Sequence, residues 1–254
     1  MLNTEQTRMS LFALLRKGAA LAAAGAMTFA LSGCQGIVST QSGAQVRIID
    51  ASPDAPGMDI YQNNAAIAYN LGFGTVTSYV PVNPGTYTST ATQAGSKQAL
   101  STSRATYTTG SQYTILIGNV AASLQQLVLK DQSQAAPSGQ ISVRFIDQAT
   151  RIAAQDLYLV PSGKKLTDVA PVYSNISFNT NTGYLNIPTG TYTLVAVPTG
   201  TVPASDTITT YTGAQVTYTG GSVTTIILID QQIVTTPGLQ IITATDYTSP
   251  TATS

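Results

Sequence analysis

The 254-residue chain contains no histidine and no tryptophan, a single cysteine, and one glutamate, Glu5. Each absence closes a route. Without histidine, nucleophile activation by Ser/His or Cys/His pairs is excluded, as is the usual set of zinc ligands. Cys34 has no partner, so no intrachain disulfide can form and stability has to come from packing. Charge is scarce too, with Asp, Glu, Lys and Arg making up 9% of the chain. Phosphate backbones demand a basic stripe and none exists, which excludes a nucleic-acid partner. No glycine-rich loop follows a strand and opens a helix, so phosphate cradling is not encoded. Paired carboxylates for glycoside hydrolysis need only acids at the right separation. Here the aspartates sit at strand ends, where turns recruit them. The expectation is a protein that is not an enzyme and needs no cofactor.

What is present begins at the N-terminus. Arg8, Arg16 and Lys17 precede an uncharged Ala- and Leu-rich run from Gly18 to Leu31, the basic and apolar regions of a secretory signal peptide. The run is too short to span a bilayer as a helix. It ends in "LSGC", and Leu31, Ser32, Gly33 and Cys34 resemble the lipobox of bacterial lipoproteins. That resemblance implies cleavage before Cys34 and acylation of Cys34, a membrane partner through the lipid anchor, and, with Gln35 in place of aspartate, delivery to the outer membrane. Two or more acyl chains, at about 0.8 kcal/mol per buried methylene, give stable anchoring. Residues 1–33 therefore read as signal peptide and 34–44 as a lipidated tether. With Arg8, Arg16, Lys17 and Glu5 removed, eight basic and ten acidic side chains remain.

The rest is a duplication. "VRIID" at Val46–Asp50 returns as "VRFID" at Val143–Asp147, and "DIY" at Asp59–Tyr61 as "DLY" at Asp156–Tyr158, both at an offset of 97. "YVPVNPGTYT" from Tyr79 returns as "YLNIPTGTYT" from Tyr184 at an offset of 105, which places an insertion near "PSGKKLTD", Pro161–Asp168. "YTILI" from Tyr113 answers "TIILI" from Thr225, and "LQQLVLKD" from Leu124 answers "LQIITATD" from Leu239. Two modules follow, 45–131 and 141–246, with a linker at 132–140 marked by Pro137, Ser138 and Gly139, and a C-terminal tail at 247–254.

Within each module, runs of five to eight residues rich in Val, Ile, Thr and Tyr alternate with Gly, Pro, Asn and Asp. Six to eight short strands per module predict an all-β chain of two tandem β-sandwiches, immunoglobulin-like or transthyretin-like. "TTIILID", Thr224–Asp230, is apolar enough for a central strand covered on both sides. Lys164 and Lys165 are expected on an exposed hairpin. "VRIIDASPDAPGMDIY", followed by "FGTVTSYVPVNPGTYT" in a tandem arrangement, resembles the domain-of-unknown-function family 4397 of bacterial secreted and surface proteins. The resemblance implies a small β-sandwich and an extracytoplasmic location, with no substrate. The second module replaces "ASPDAP" with "QATRIAAQ", Gln148–Gln155.

The segment Arg47–Tyr61 is the densest in potential chemistry. Asp50, Asp54 and Asp59 supply oxygens of the kind calcium takes, though six to eight ligands are needed and the spacing is not that of an EF-hand. A turn explains them better. Pro53 and Pro56 stop strand pairing, Asp54 can accept from amides of its own turn, and Asp59 opens the next strand. Metal binding is therefore not assigned. Two roles remain: a structural or protein-interaction lipoprotein of the envelope, or a module that binds a glycan or small polar ligand. For the latter, coplanar exposed rings among Tyr61, Tyr69, Tyr107, Tyr158, Tyr173 and Tyr211 would form the platform, whereas Tyr87 and Tyr192 read as corner residues.

Overall fold

A computed structural model describes residues 43–232 and 238–247. The expected signal peptide, the lipobox with Cys34, the tether up to residue 42 and the tail from 248 lie outside the described residues. The first module contains β1 (Ala44–Asp50), β2 (Met58–Gln62), β3 (Ala65–Leu71), β4 (Val80–Val82), β5 (Gly85–Gln93), β6 (Ala99–Tyr107), β7 (Gln112–Gly118) and β8 (Gln125–Asp131). The second contains β9 (Gln140–Asp147), β10 (Gln155–Pro161), β11 (Tyr173–Ile176), β12 (Asn181–Pro188), β13 (Gly190–Pro198), β14 (Tyr211–Tyr218), β15 (Val223–Asp230) and β16 (Leu239–Tyr247). Helical structure among the described residues is limited to two 3₁₀ turns, Ala121–Ser123 and Leu166–Asp168. The chain is all-β, as the alternating pattern predicts. Pairing begins at Ala44 and Gln140 and runs to Tyr247, one residue beyond the expected boundaries at each of these ends.

Each module is a sandwich of two four-stranded sheets with the same strand order. In the first, β4-β1-β7-β8 faces β3-β2-β5-β6; in the second, β12-β9-β15-β16 faces β11-β10-β13-β14. The pair β1/β7, like β9/β15, is parallel, and the other pairs are antiparallel. Side chains alternate faces along a strand. Val46, Ile48, Ile115 and Ile117 fill the first sandwich, as Val143, Phe145, Ile226 and Leu228 fill the second.

The residues between them in sequence point the other way and are buried as well. Ile49, Ala51, Leu116 and Leu129 of the first module form one core with Ile146, Ile227, Ile229 and Ile242 of the second. That third core explains why "VRIID" and "TTIILID" are apolar on both faces: one side packs inside its own sandwich, the other against the neighbouring module. The expected linker is held down too. Ala136 is buried and its amide donates to the Gly221 carbonyl at 3.0 Å, while Gln132 N–H donates to the Tyr184 hydroxyl at 3.2 Å.

The corner residues behave as expected. Tyr87 Oη donates to the Asn83 carbonyl and Tyr192 Oη to the Pro188 carbonyl, at 3.0 and 2.9 Å. Each ring lies over the glycine that opens its strand, and a Cβ at Gly190 would come within 3.2 Å of the Tyr192 ring.

Candidate functional site

Three places hold enough polar or aromatic side chains to bear on function: the aspartate-rich turn, the joint between the modules, and the outer sheet faces. In the turn, the three aspartates are engaged separately. Asp50 is fully buried, and its Oδ1 accepts from Ser52 N–H at 3.0 Å while Oδ2 has no partner among the described residues. Burial raises this carboxyl to about 7, against the lowering effect of the Ser52 amide. Asp54 accepts from Ala121 N–H at 2.8 Å, so it braces the 3₁₀ turn before β8 and not its own turn as expected. Asp59 accepts from Asn70 and Gly95 amides at 2.9 and 3.0 Å, and these bonds, Asn70 first, lower its pKa.

The second module repeats two of these arrangements. Asp147 accepts from Ala149 N–H and is likewise raised to about 7, first by burial, with a smaller upward push from Asp230. Asp156 accepts from Asn175 and Gly200 amides, as Asp59 does from Asn70 and Gly95. Those donors, Asn70, Gly95, Asn175 and Gly200, all have positive φ, where Asn and Gly are the least strained residues. The strand-opening aspartate thus ties the neighbouring edge strand and one turn to its own strand in both copies. Among the described residues, no group of three acidic, Cys or His side chains is placed to hold a metal ion.

The joint was not visible in the sequence. Arg47 Nε donates to Thr114 Oγ1 at 2.8 Å and Nη2 crosses to Asp246 of the other module. Arg144 Nε donates to Thr225 Oγ1 at 3.0 Å and Nη2 crosses to Asp131 at 2.6 Å. The guanidinium of Arg47 sits 4.8 Å from the Tyr79 ring centre, and that of Arg144 4.6 Å from the Tyr184 centre. Tyr79 Oη in turn donates to Asp131, and Tyr184 Oη to Asp246, both at 2.8 Å. Burial and the adjacent carboxylates push both phenols above their ordinary range, which keeps them donors. Both arginines and both aspartates are buried. Each of these arginine, threonine, tyrosine and aspartate interactions on one side has its counterpart on the other, the reciprocity of a two-fold contact.

That reciprocity corrects one alignment. Arg47 pairs with Thr114 across β1/β7 and Arg144 with Thr225 across β9/β15, so Thr114 corresponds to Thr225, one residue away from the expected match of Tyr113 with Thr225.

The outer faces differ between modules. In the second, Tyr158, Val160, Val195 and Val197 project away from the sandwich and are buried beneath Leu166 and Val169. Leu166 belongs to the inserted segment and Val169 follows it directly, and the segment folds back over the sheet instead of standing out as a hairpin; Lys164 and Lys165 are exposed, as expected. In the first module the corresponding positions are Tyr61, Asn63, Thr90 and Thr92; among the described residues no inserted segment lies over this face, Thr92 is buried, Tyr61 and Thr90 are half-buried and Asn63 is exposed. They line an open trough of about 440 Å³ together with Asn64, Ser96 and Lys97. Asn63 Oδ1 accepts from Thr88 N–H at 3.0 Å, which fixes the orientation of its side chain.

The tyrosines do not assemble into a flat platform among the described residues. Tyr69 is 72% exposed and Tyr61 half-buried, whereas Tyr107 and Tyr158 are buried, and Tyr173 packs edge-on against Phe145. The near-parallel pair, Tyr87 and Tyr107, has its second ring in the core. Half-buried Tyr211 lies on β14.

No curated protein matches the chain. A solved structure described as "Alpha-glucan binding by a streptococcal virulence factor" is similar at 11% identity and a TM-score of 0.24, covering 72% of this chain and 92% of that one, a score too low to argue from. The family whose sequence pattern matches is described as "Domain of unknown function (DUF4397)", over residues 44–158. The match covers the first module and the opening strands of the second, the region in which the "ASPDAP" turn and its flanking strands carry the resemblance.

Proposed function

We propose that this protein is a non-catalytic lipoprotein of the bacterial envelope. Cys34 carries the acyl chains, and the two modules serve as one rigid body that presents loops and outer sheet faces to a partner. The observation that supports this reading is the joint. Its two arginines and two aspartates are buried in reciprocal pairs that hold the modules together, which leaves them unavailable for chemistry on a substrate. The Asp-rich turn contributes in the same direction, because Asp54 and Asp59 are occupied by backbone amides. The test is fractionation of cells making the full chain, with mass spectrometry of its first mature residue. A diacylated Cys34 in the membrane fraction, and a Cys34→Ser variant in the soluble fraction, support the reading. Equal partition of the two sinks it.

A second reading rests on the open trough of the first module. One aromatic face, two amides, three hydroxyls and one ammonium, with no carboxylate, suit a neutral or weakly anionic polyhydroxylated ligand. Titration calorimetry against neutral oligosaccharides distinguishes this from plain surface. Heat that disappears in Tyr61→Ala but persists in Lys164→Ala places the ligand on the first module. Silence across the series removes it.

A further inference from the structure

The joint is reciprocal in charge but not in size. Gly118 ends β7, and a Cβ built on it would lie 2.8 Å from Cδ of Gln148, across the joint. By the strand registers, Gly118 corresponds to Ile229 and Ala51 to Gln148. The mirror-related contact is therefore Ala51 with Ile229, both fully buried in the shared core. In both contacts the first module supplies the small residue and the second the large one.

We propose that this asymmetry keys the joint: a module of the first type accepts one of the second type, in its own chain or in a second copy of the chain, and does not accept its own kind. Charge alone would allow any pairing, since each module carries its own Arg, Thr, Tyr and Asp in the same arrangement. Two first modules would set Gly118 against Ala51 twice and leave two voids in an otherwise apolar core. Two second modules would set Ile229 against Gln148 twice and overfill the same space. Attraction is thus general and shape selects, which is how specificity is built where like surfaces compete.

The experiment uses the full chain with a protease recognition sequence inserted after Ser133, cut after folding. The halves should stay together at the mass of the intact protein. Native mass spectrometry of a mixture with isotope-labelled cut protein should show exchanged pairs, always one half of each kind. Gly118→Ile should weaken retention on the order of 30-fold, and adding Gln148→Ala should bring it back to within about 5-fold of wild type. Pairs of two identical halves, or a Gly118→Ile variant that holds as tightly as wild type, overturn the proposal. So does a double variant no better than the single one. Should a half unfold once released, the same two substitutions in the uncut chain form a double-mutant cycle on the denaturation midpoint, and an additive cycle counts equally against the key.

Discussion

Asp131 shows how much one buried side chain can carry. It receives Arg144 from the other module, and Thr114 and Tyr79 from its own, with no exposure to water. Removing it leaves the Arg144 guanidinium without its carboxylate and two hydroxyl donors without their acceptor, and an uncompensated buried charge costs about 3–5 kcal/mol. Asp131→Ala should therefore lower the urea midpoint far more than Asp168→Ala, whose carboxylate is exposed in the lid; equal midpoints would refute the assignment. Asp50 and Asp147 give the opposite kind of dependence. Their folded pKa values, raised by burial to about 7, lie above the ordinary 3.8, so the folded protein holds two protons that the unfolded chain releases between those values. The stability they contribute is complete below pH 4 and drains away as pH rises toward 7, by roughly 1 kcal/mol per pH unit for each group. Denaturation at pH 5, 6 and 7 should show that decline in wild type, and Asp50→Asn should remove about half of it, leaving the share of Asp147. A wild-type curve that rises over this interval would contradict the burial of both groups.

Among the elements, the lid over the second outer sheet makes the clearest comparison, because the first module lacks it. Leu166 and Val169 cover four apolar side chains that would otherwise face water. Truncating a half-buried leucine removes part of its transfer free energy, so Leu166→Ala should cost about 1–2 kcal/mol and raise the binding of a hydrophobic dye. A variant indistinguishable from wild type in both would show that the lid rests on the sheet without stabilising it. The position of this insertion was legible, since the repeat offset jumps from 97 to 105 across it. Its conformation was not, because "SGKKLTD" carries turn formers and only one apolar residue, and what it covers lies on strands distant in sequence. Strand periodicity, the duplication and the role of Asp59 with Asp156 were all readable, for each is written in local pattern. The one-residue slip between Tyr113 and Thr225 arose where the pattern is weakest. "TILI" and "TIILI" fit at adjacent registers, and only pairing with β1 and β9 decides between them. The joint escaped for a related reason: its signal is a lone arginine in an apolar strand, and its partners mostly lie far away in sequence.

At the scale of the whole molecule, the shared core and the crossed ion pairs make the two sandwiches thermodynamically dependent on each other. Opening the joint exposes Ile49, Leu116, Ile146 and Ile227 and strands two arginine–aspartate pairs at once. Neither module can therefore loosen at low cost while the other stays closed. Tandem domains with small polar interfaces unfold in separate steps, whereas a large apolar joint couples them. Urea unfolding should accordingly give one transition, with far-ultraviolet circular dichroism and tyrosine fluorescence coincident. The two probes sample different things, since dichroism follows the strands of both modules whereas part of the tyrosine fluorescence comes from Tyr79 and Tyr184 at the joint. Replacing Asp131 and Asp246 together by alanine leaves both inner cores intact while removing both crossing carboxylates. The transition should then split, with a part of the tyrosine fluorescence changing at lower urea than the dichroism. Two transitions in wild type, or a single unshifted one in the double variant, would mean that the modules fold independently and that the crossed pairs hold nothing together.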